Sequence, residues 1–307
     1  MKCKEFDLGV AVACHIAGAV ALCFITPNGA MAASQETDSA QQQEAPASQE
    51  TSTEEDAEYN DQDFTRPLSL FQLRLEYKTT PGSGGAPGTT RQVTSDITTL
   101  RADQRIDLAP QWALALRTDL PFLAKNPITP DNPDADYQFG LGDADLQLAL
   151  VHEIDARWGA GVGARLIAPT GTDDLGSGKW QIMPGFAVRY MLPEIGSESY
   201  FVPLLRYDVS FAGNPSKKDI SNLQFAPTLN IGLPNDWFFT FYPSPDIRVN
   251  YGDPVTGQTG RLFLPFDAMI GREMAKNMVL SLEVGVPMVK EYPVYDFKTE
   301  ARLNVKF

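Results

Sequence analysis

Apolar and polar side chains alternate along most of the chain beyond residue 64, and the carboxyl terminus shows the pattern most clearly. Its apolar or aromatic parity comprises Tyr295, Phe297, Ala301, Leu303, Val305 and Phe307. Charged and amide side chains have the opposite parity there. A period of two places successive side chains on opposite faces of a strand. One apolar and one charged face are typical of a transmembrane β-barrel strand, with lipid outside and water or polar groups inside.

The same alternation predicts about twelve strands, so we expect an all-β fold, an antiparallel transmembrane β-barrel whose even strand number places both chain ends in the periplasm. The predicted strands are 68–78, 94–108, 112–120, 139–151, 158–168, 180–192, 200–211, 222–233, 237–251, 262–270, 278–288 and 295–307. The connections at 109–111, 152–157, 193–199, 234–236 and 273–277 are short, whereas alternate ones, such as 79–91 and 121–138, are longer. Short turns at one end and long loops at the other are typical of outer-membrane barrels.

Aromatic and proline positions refine this prediction. Four predicted strands start with a tryptophan, namely Trp112, Trp158, Trp180 and Trp237. With Tyr77, Tyr190, Tyr251 and Phe307 they should form aromatic girdles at the membrane surfaces.

Prolines inside strands remove backbone N–H donors from the sheet, so bulges or breaks are expected at Pro184, Pro203, Pro227, Pro243, Pro245, Pro265 and Pro287.

The amino terminus reads as a secretory signal peptide over residues 1–32. Lys2 and Lys4 precede an apolar stretch, 8–25, and small residues at 30–32 offer a cleavage site before Ala33. An uncleaved helical anchor is the alternative, since the stretch is about long enough to span a bilayer. All three cysteines lie in this segment, so the mature chain should contain neither disulfides nor thiolate metal ligands.

Residues 33–63 form an acidic segment, predicted to be disordered, that precedes the barrel at 64–307. The segment holds ten carboxylates and no Lys or Arg, so it cannot bury enough apolar area to offset its ordering entropy. Without these ten, the formal net charge of −14 becomes −4. We interpret the segment as a solvated tail. The alternative is a tail that binds cations or a partner.

Side chains on the polar parity should line the barrel interior. We take as channel-lining Arg74, Glu76, Arg101, Asp103, Arg117, Asp119, Asp143, Asp145, Arg165, Arg189, Arg206, Asp208, Arg248, Asp267, Glu283 and Arg302. Acids and bases nearly balance on this parity, which favours paired charges in a narrow channel over a field of one sign. If the short turn after the second strand pairs Leu108 with Trp112, Arg101 faces Asp119 and Asp103 faces Arg117.

Two glycine-rich motifs add a family resemblance. Gly140-Leu-Gly-Asp-Ala-Asp-Leu146, and Ala168-Pro-Thr-Gly-Thr-Asp-Asp-Leu-Gly-Ser-Gly-Lys-Trp180 followed by Pro184, resemble the outer-membrane family named for a phenol-degradation (MetA) pathway. The resemblance covers most of 64–307 and implies a transporter-like outer-membrane barrel, with traffic in aromatic or hydrophobic compounds. The terminal Phe307 similarly resembles the sorting signal that the bacterial barrel-assembly machinery reads.

These readings predict a channel or transporter for small solutes in the outer membrane of a Gram-negative cell. The expected partners are membrane lipid and lipopolysaccharide, the barrel-assembly machinery and a small-molecule solute, with no nucleic acid, cofactor or bound metal. The alternatives are a structural or surface-interaction barrel with a filled lumen, and a soluble β-sandwich or lipocalin-like barrel. An enzyme is not expected, because the mature chain would keep a single histidine, His152, in a short turn.

Three smaller features have two readings each. Gly159, Gly161 and Gly163 have the inward parity, which favours strong curvature or leaves room for a loop or solute. The loop 169–178 is either an ordinary turn or a loop that binds a cation. Asp131, Asp134 and Asp136 belong to a solvated loop or bridge divalent cations to lipopolysaccharide.

Overall fold

The structure is a computed structural model that describes residues 63–81, 92–128, 132–172 and 175–307. The predicted signal peptide, almost all of the acidic segment and Asp131 lie outside the described residues. So do Asp173 and Asp174, the two carboxylates of the loop 169–178. Within the described ranges, no helix is long and apolar enough to cross a membrane.

The described residues form one antiparallel sheet. Its strands are β1 (Leu70–Pro81), β2 (Gln92–Ala109), β3 (Trp112–Lys125), β4 (Gln138–Leu141), β5 (Asp145–Glu153), β6 (Trp158–Ile167), β7 (Lys179–Met191), β8 (Tyr200–Gly213), β9 (Ser221–Leu233), β10 (Trp237–Phe241), β11 (Ile247–Asn250), β12 (Leu262–Ala275), β13 (Met278–Lys290) and β14 (Phe297–Lys306). The connections 110–111, 154–157, 234–236 and 276–277 are short turns, as the sequence predicts, whereas the connection 192–199, also predicted to be short, is longer than the loops 214–220 and 291–296.

The sheet closes into a barrel of twelve strands. Strand β4 lies in line with β5, since both pair with β3, and β10 lies in line with β11 between β9 and β12. The fourteen segments therefore make twelve barrel strands. Closure comes from the antiparallel pairing of β1 with β14. The predicted fold class is confirmed.

The outer face of the barrel is apolar. Among its large exposed side chains are Phe71, Leu100, Phe122, Phe139, Leu148, Val162, Phe186, Phe211, Leu280, Leu282 and Val305. All four tryptophans are on this face, and each is about two-fifths exposed. The Trp112 ring stacks on His152 at 4.1 Å. A closed sheet leaves no unpaired edge, and an apolar outer face is soluble only in lipid, so the fold is that of a transmembrane barrel.

Prolines act on the sheet in two different ways. The predicted break is confirmed at Pro243 and Pro245, which lie between β10 and β11, and a register shift at Leu264/Pro265 confirms a bulge there. Pro203, by contrast, faces Pro227 in an unshifted ladder, so no bulge forms between β8 and β9 at this pair. On its other edge, Pro227 lies opposite the break between β10 and β11. A proline removes only its own N–H, and the flanking bonds keep the register.

The hairpin between β2 and β3 has the predicted register. Arg101 faces Asp119 and Asp103 faces Arg117, which confirms both pairs. The turn itself differs from the prediction, because a register shift after Asp107 pairs Ala109, rather than Leu108, with Trp112. Gln111 closes the turn at φ 69°.

The turn between β5 and β6 is closed by a carboxylate. Asp155 accepts hydrogen bonds from the backbone N–H groups of Trp158 and Arg157, each at 2.7 Å. These bonds favour the ionised form and lower the pKa of the Asp155 carboxyl. The turn is therefore specified locally, as Asx-type turns are.

The carboxyl-terminal aromatic offers a test of assembly. Phe307 donates its backbone N–H to Ser69 at 3.2 Å, and its ring lies 4.9 Å from that of Phe71. If Phe307 is read as a sorting signal, Phe307→Ser should reduce the yield of folded, heat-modifiable protein on unboiled gels while synthesis stays intact. Phe139→Ser, which changes another exposed phenylalanine far from the terminus, is the control. Equal folded yields for both variants and the parent would contradict a terminal signal.

Candidate functional site: the barrel lumen

The first described residues, 63–67, enter the lumen at the end where the short turns lie. The Asp63 carboxylate is 3.6 Å from the Arg189 guanidinium on β7, and Arg66 is 3.7 Å from Glu153 at the end of β5. The Asp63 carboxylate also accepts hydrogen bonds from the Thr65 N–H and hydroxyl at 2.8 and 2.7 Å. Asp63, which the composition places in the acidic tail, is thus buried inside the barrel.

An apolar patch on the inner wall receives Phe64. The patch comprises Ala187, Met191, Tyr200, Val202, Leu204 and Ala226. These side chains have the inward parity of β7, β8 and β9, where a water-filled barrel would have polar residues. The patch therefore fits the phenyl ring that packs against it.

The three inward glycines divide between their two predicted roles. A Cβ at Gly159 would lie 3.0 Å from the Arg189 guanidinium, so this glycine makes room for the ion-pair partner of Asp63. A Cβ at Gly161 would lie 3.2 Å from the Val151 side chain and at an ordinary contact distance, 3.5 Å, from the Phe64 carbonyl oxygen. At Gly163 a Cβ would lie 2.3 Å from the Leu148 carbonyl oxygen. Here glycine allows β5 and β6 to approach closely.

Further into the lumen, charged side chains pair across neighbouring strands. Arg101 donates two hydrogen bonds to Asp119, both at 2.6 Å, and Arg117 donates two to Asp103 at 2.7 and 2.6 Å. Both contacts are bidentate, a geometry that fixes the guanidinium plane as well as its position.

The pairing continues along both neighbouring walls. On one side, Arg165 of β6 lies 3.3 Å from Asp145 and donates to the Gln147 amide oxygen at 3.0 Å. On the other side, Arg74 of β1 donates to both oxygens of Glu300 at 2.6 and 2.7 Å. The charges thus lie against the wall instead of pointing freely into the lumen.

The break between β10 and β11 projects into the lumen. Its Ser244 hydroxyl contacts Glu283 at 3.2 Å and Arg302 at 3.1 Å. The Asp246 carboxylate forms ion pairs with Lys298 and with Arg248, the latter at 3.0 Å. Residues 242–246 therefore narrow the lumen beside β14.

Three buried carboxylates meet at this narrowing. Oxygen atoms of Asp246, Asp267 and Glu283 lie within 4.8 Å of one another. The Lys298 ammonium forms ion pairs with both Asp246 and Glu283, and Asp267 accepts a hydrogen bond from the Tyr295 hydroxyl at 2.6 Å. Because protein cations already balance these acids, we assign no metal to the cluster.

A polar cavity with an empty volume of 630 Å³ lies in the central lumen. The ionisable side chains that line it are Arg74, Glu76, Arg101, Arg117, Arg165, Arg206, Asp246, Arg248, Lys298 and Arg302. Eight of these ten are cations, because most of the paired carboxylates lie behind their arginines in the wall. The lumen as a whole is nearly balanced, but the surface that faces the cavity is basic.

Most of the sixteen predicted lining residues meet in these clusters. Glu76 pairs with Lys78 at 2.7 Å, and Arg206 donates to the Gln224 amide oxygen at 2.7 Å. Asp208 is buried two residues further along β8. Arg189 lies at the short-turn end, against Glu153 and Asp63.

Asp143 departs from its predicted place in a strand. It lies in the interruption between β4 and β5, where its carboxylate accepts hydrogen bonds from the Gly171 N–H at 3.0 Å and the Ser177 N–H at 2.7 Å. The carboxylate therefore anchors the loop between β6 and β7. The predicted strand 139–151 is interrupted here because this loop, through Thr172, bonds to Leu141.

Several residues of the lumen are absent from the predicted set. Phe64 precedes the first predicted strand, so no alternation marks it as inward. Ser244 has the inward parity of the predicted strand 237–251, but it lies in the break between β10 and β11. The parity of Tyr295 predicts that it faces lipid, which is wrong: its side chain is buried and contacts Asp267. Strand β14 begins only at Phe297, and the parity rule does not apply to a residue in the preceding loop.

The closed sheet, the apolar exterior and the charged interior define an outer-membrane β-barrel. The family model described as "Putative MetA-pathway of phenol degradation" matches residues 76–210, which confirms the resemblance seen in the glycine-rich motifs. No curated protein matches the sequence.

One solved outer-membrane channel shares this fold, and two porins are less similar. The COG4313 outer membrane channel from Pseudomonas putida F1 is 17% identical, with a TM-score of 0.59 over 78% of this chain and 96% of that one. The KdgM porin is 12% identical, with a TM-score of 0.45 over 78% and 99% of the two chains. The NanC porin is also 12% identical, with a TM-score of 0.45 over 77% and 98%.

Proposed function

We propose that this barrel is a channel for small solutes across the outer membrane. The observation that carries the proposal is the polar cavity in the central lumen, lined by charged side chains that their partners hold against the wall. Solutes pass through a channel when its polar lining groups are fixed in place and hold each solute only weakly. The bidentate ion pairs fix the guanidinium groups of this lumen. The description of the matching family supports aromatic or hydrophobic compounds as the solutes.

Single-channel recording in planar bilayers tests the proposal directly. Full-length mature protein should produce discrete current steps in potassium chloride, and liposomes that contain it should swell in small-solute gradients. A folded, heat-modifiable barrel that neither conducts ions nor admits solutes would contradict the proposal.

The second candidate is a structural or surface-interaction barrel with a closed lumen. Its support is the packing of Phe64 against the inner wall together with the inward break at 242–246, which both occupy lumen space. Absence of conductance would favour this candidate. No catalytic step enters either proposal. His152, the histidine among the described residues, lies near the end of β5 and not in the turn where the sequence places it; it stacks on Trp112 and contacts the Gln111 carbonyl oxygen.

The Arg117–Asp103 pair predicts a change in ion selectivity. Arg117→Ala should leave the Asp103 carboxylate uncompensated, so reversal potentials in a salt gradient should shift toward cation selectivity. The double variant Asp103→Ala/Arg117→Ala removes both charges and should return the selectivity close to that of the parent. Unshifted reversal potentials in a conducting single variant would mean that ions do not pass this pair.

A further inference from the structure

A second cavity, mainly apolar, lies beside the basic one. The space along its lining is about 470 Å³ and includes the part that is open to its surroundings. Small inward residues such as Ala149, Gly161 and Gly163 form part of its wall, and Phe64, Met183 and Leu204 supply larger apolar groups. These residues form an apolar surface against which the apolar body of a solute can pack.

Two arginines line both cavities. Arg165 and Arg206 border the apolar pocket and also the polar cavity. A solute that packs against the apolar lining would therefore place its polar end near two guanidinium groups. Guanidinium forks match carboxylate geometry and bind it through two parallel hydrogen bonds.

The charge of Arg206 has no direct counterion among the described residues. Its Nε donates to the neutral Gln224 amide at 2.7 Å, whereas Arg165 has Asp145 at 3.3 Å. Asp208 lies on the same strand and face but is not within ion-pair distance of Arg206, and it does not line either cavity. An anion at this position would supply the charge partner that the wall lacks.

We infer that Arg206 and Arg165 form a subsite for the carboxylate of a small amphipathic solute, whose apolar body packs against the apolar lining beside Phe64. This inference rests on the proposed solute channel and names a chemical class for its cargo. The carboxylate replaces the missing counterion of Arg206, and the apolar body gains burial against Phe64, Met183 and Leu204.

Calorimetric titration of the full-length mature protein in lipid nanodiscs tests the subsite with benzoate as the probe. Benzamide, which has nearly the same size and shape without the charge, is the ligand control. Benzoate should bind more tightly than benzamide, and Arg206→Gln should weaken benzoate binding about tenfold, the loss expected for a charge-assisted hydrogen bond, with little change for benzamide. Arg206→Lys should retain part of the preference.

Two further variants show whether the charge around Arg206 controls benzoate binding. Asp208→Asn removes a nearby negative charge and should strengthen benzoate binding. Arg157→Gln changes an arginine in an exposed turn and should leave it unchanged. Equal affinities for benzoate and benzamide in the parent, no benzoate binding, or equal losses in Arg206→Gln and Arg157→Gln would each overturn the inference.

The outcomes also separate this inference from the proposed function. A barrel that conducts ions but shows no preference for benzoate retains the channel and loses the subsite. A barrel that binds benzoate through Arg206 but neither conducts nor swells liposomes retains the subsite and loses the channel.

Discussion

Phe64→Gly should raise the single-channel conductance of this barrel several-fold. The Phe64 ring borders three separate cavities of the lumen, namely the apolar pocket, the basic cavity and a third one beside Leu70 and Arg117. Removing the ring would join these spaces along the barrel. Conductance depends on the narrowest cross-section, so the change should be larger than that of any single substitution in the wall.

The control for this experiment is Phe71→Gly, which removes a phenyl ring from the lipid face, where Phe71 is 60% exposed. It should leave the conductance close to that of the parent. Equal conductance in Phe64→Gly and the parent would show that ions follow a path that avoids Phe64.

Lys298→Met should cause the largest loss of stability. The buried Lys298 ammonium lies between Asp246 and Glu283 and forms ion pairs with both. Methionine has a similar length and no charge, so the substitution leaves buried carboxylates without their main cation. Removal of one partner of a buried ion pair costs about 3 to 5 kcal/mol. Equilibrium unfolding in urea with lipid vesicles would measure the free energy of unfolding.

Two comparisons make this prediction specific to the cluster. Lys78→Met changes the lysine that faces Lys298 across β1 and β14; it is 28% exposed and pairs with Glu76, so the loss should be about 1 kcal/mol or less. Glu283→Gln/Lys298→Met removes one acid together with the ammonium and should recover part of the stability. Similar losses for both lysine variants would contradict the special role of the cluster.

Alternation along the chain predicted the barrel well because each barrel strand has two different solvents on its two faces. A residue such as Phe71 contacts lipid and its neighbour Gln72 contacts the lumen, so a one-residue shift would place charges in lipid. The same constraint, together with a short turn, gave the pairs of Arg101 with Asp119 and Arg117 with Asp103. Parity is informative wherever the strand is regular.

The sequence prediction failed where the chain leaves a regular strand. Tyr295 precedes β14 and contacts the interior despite its parity, and Asp143 anchors a loop in the interruption after β4. Phe64 lies before the first strand, where composition alone marks the end of an acidic tail. In such segments the direction of a side chain depends on contacts that are distant in sequence, and periodicity carries no information about them.

The sequence by itself determined the closed antiparallel barrel, its twelve strands, the lipid-facing and inward-facing parities and the register of the hairpin between β2 and β3. These features follow from side chains that alternate between the lipid face and the lumen face of each strand, and from short turns that set the register. Both are local properties of the sequence. Only the tertiary structure decided that Phe64 packs inside the lumen, that the break at 242–246 projects inward, and that cations rather than acids face the central cavity. Barrel closure brings residues from opposite ends of the chain to one place, and the side chain that reaches the cavity there depends on packing across strands, which no linear pattern records.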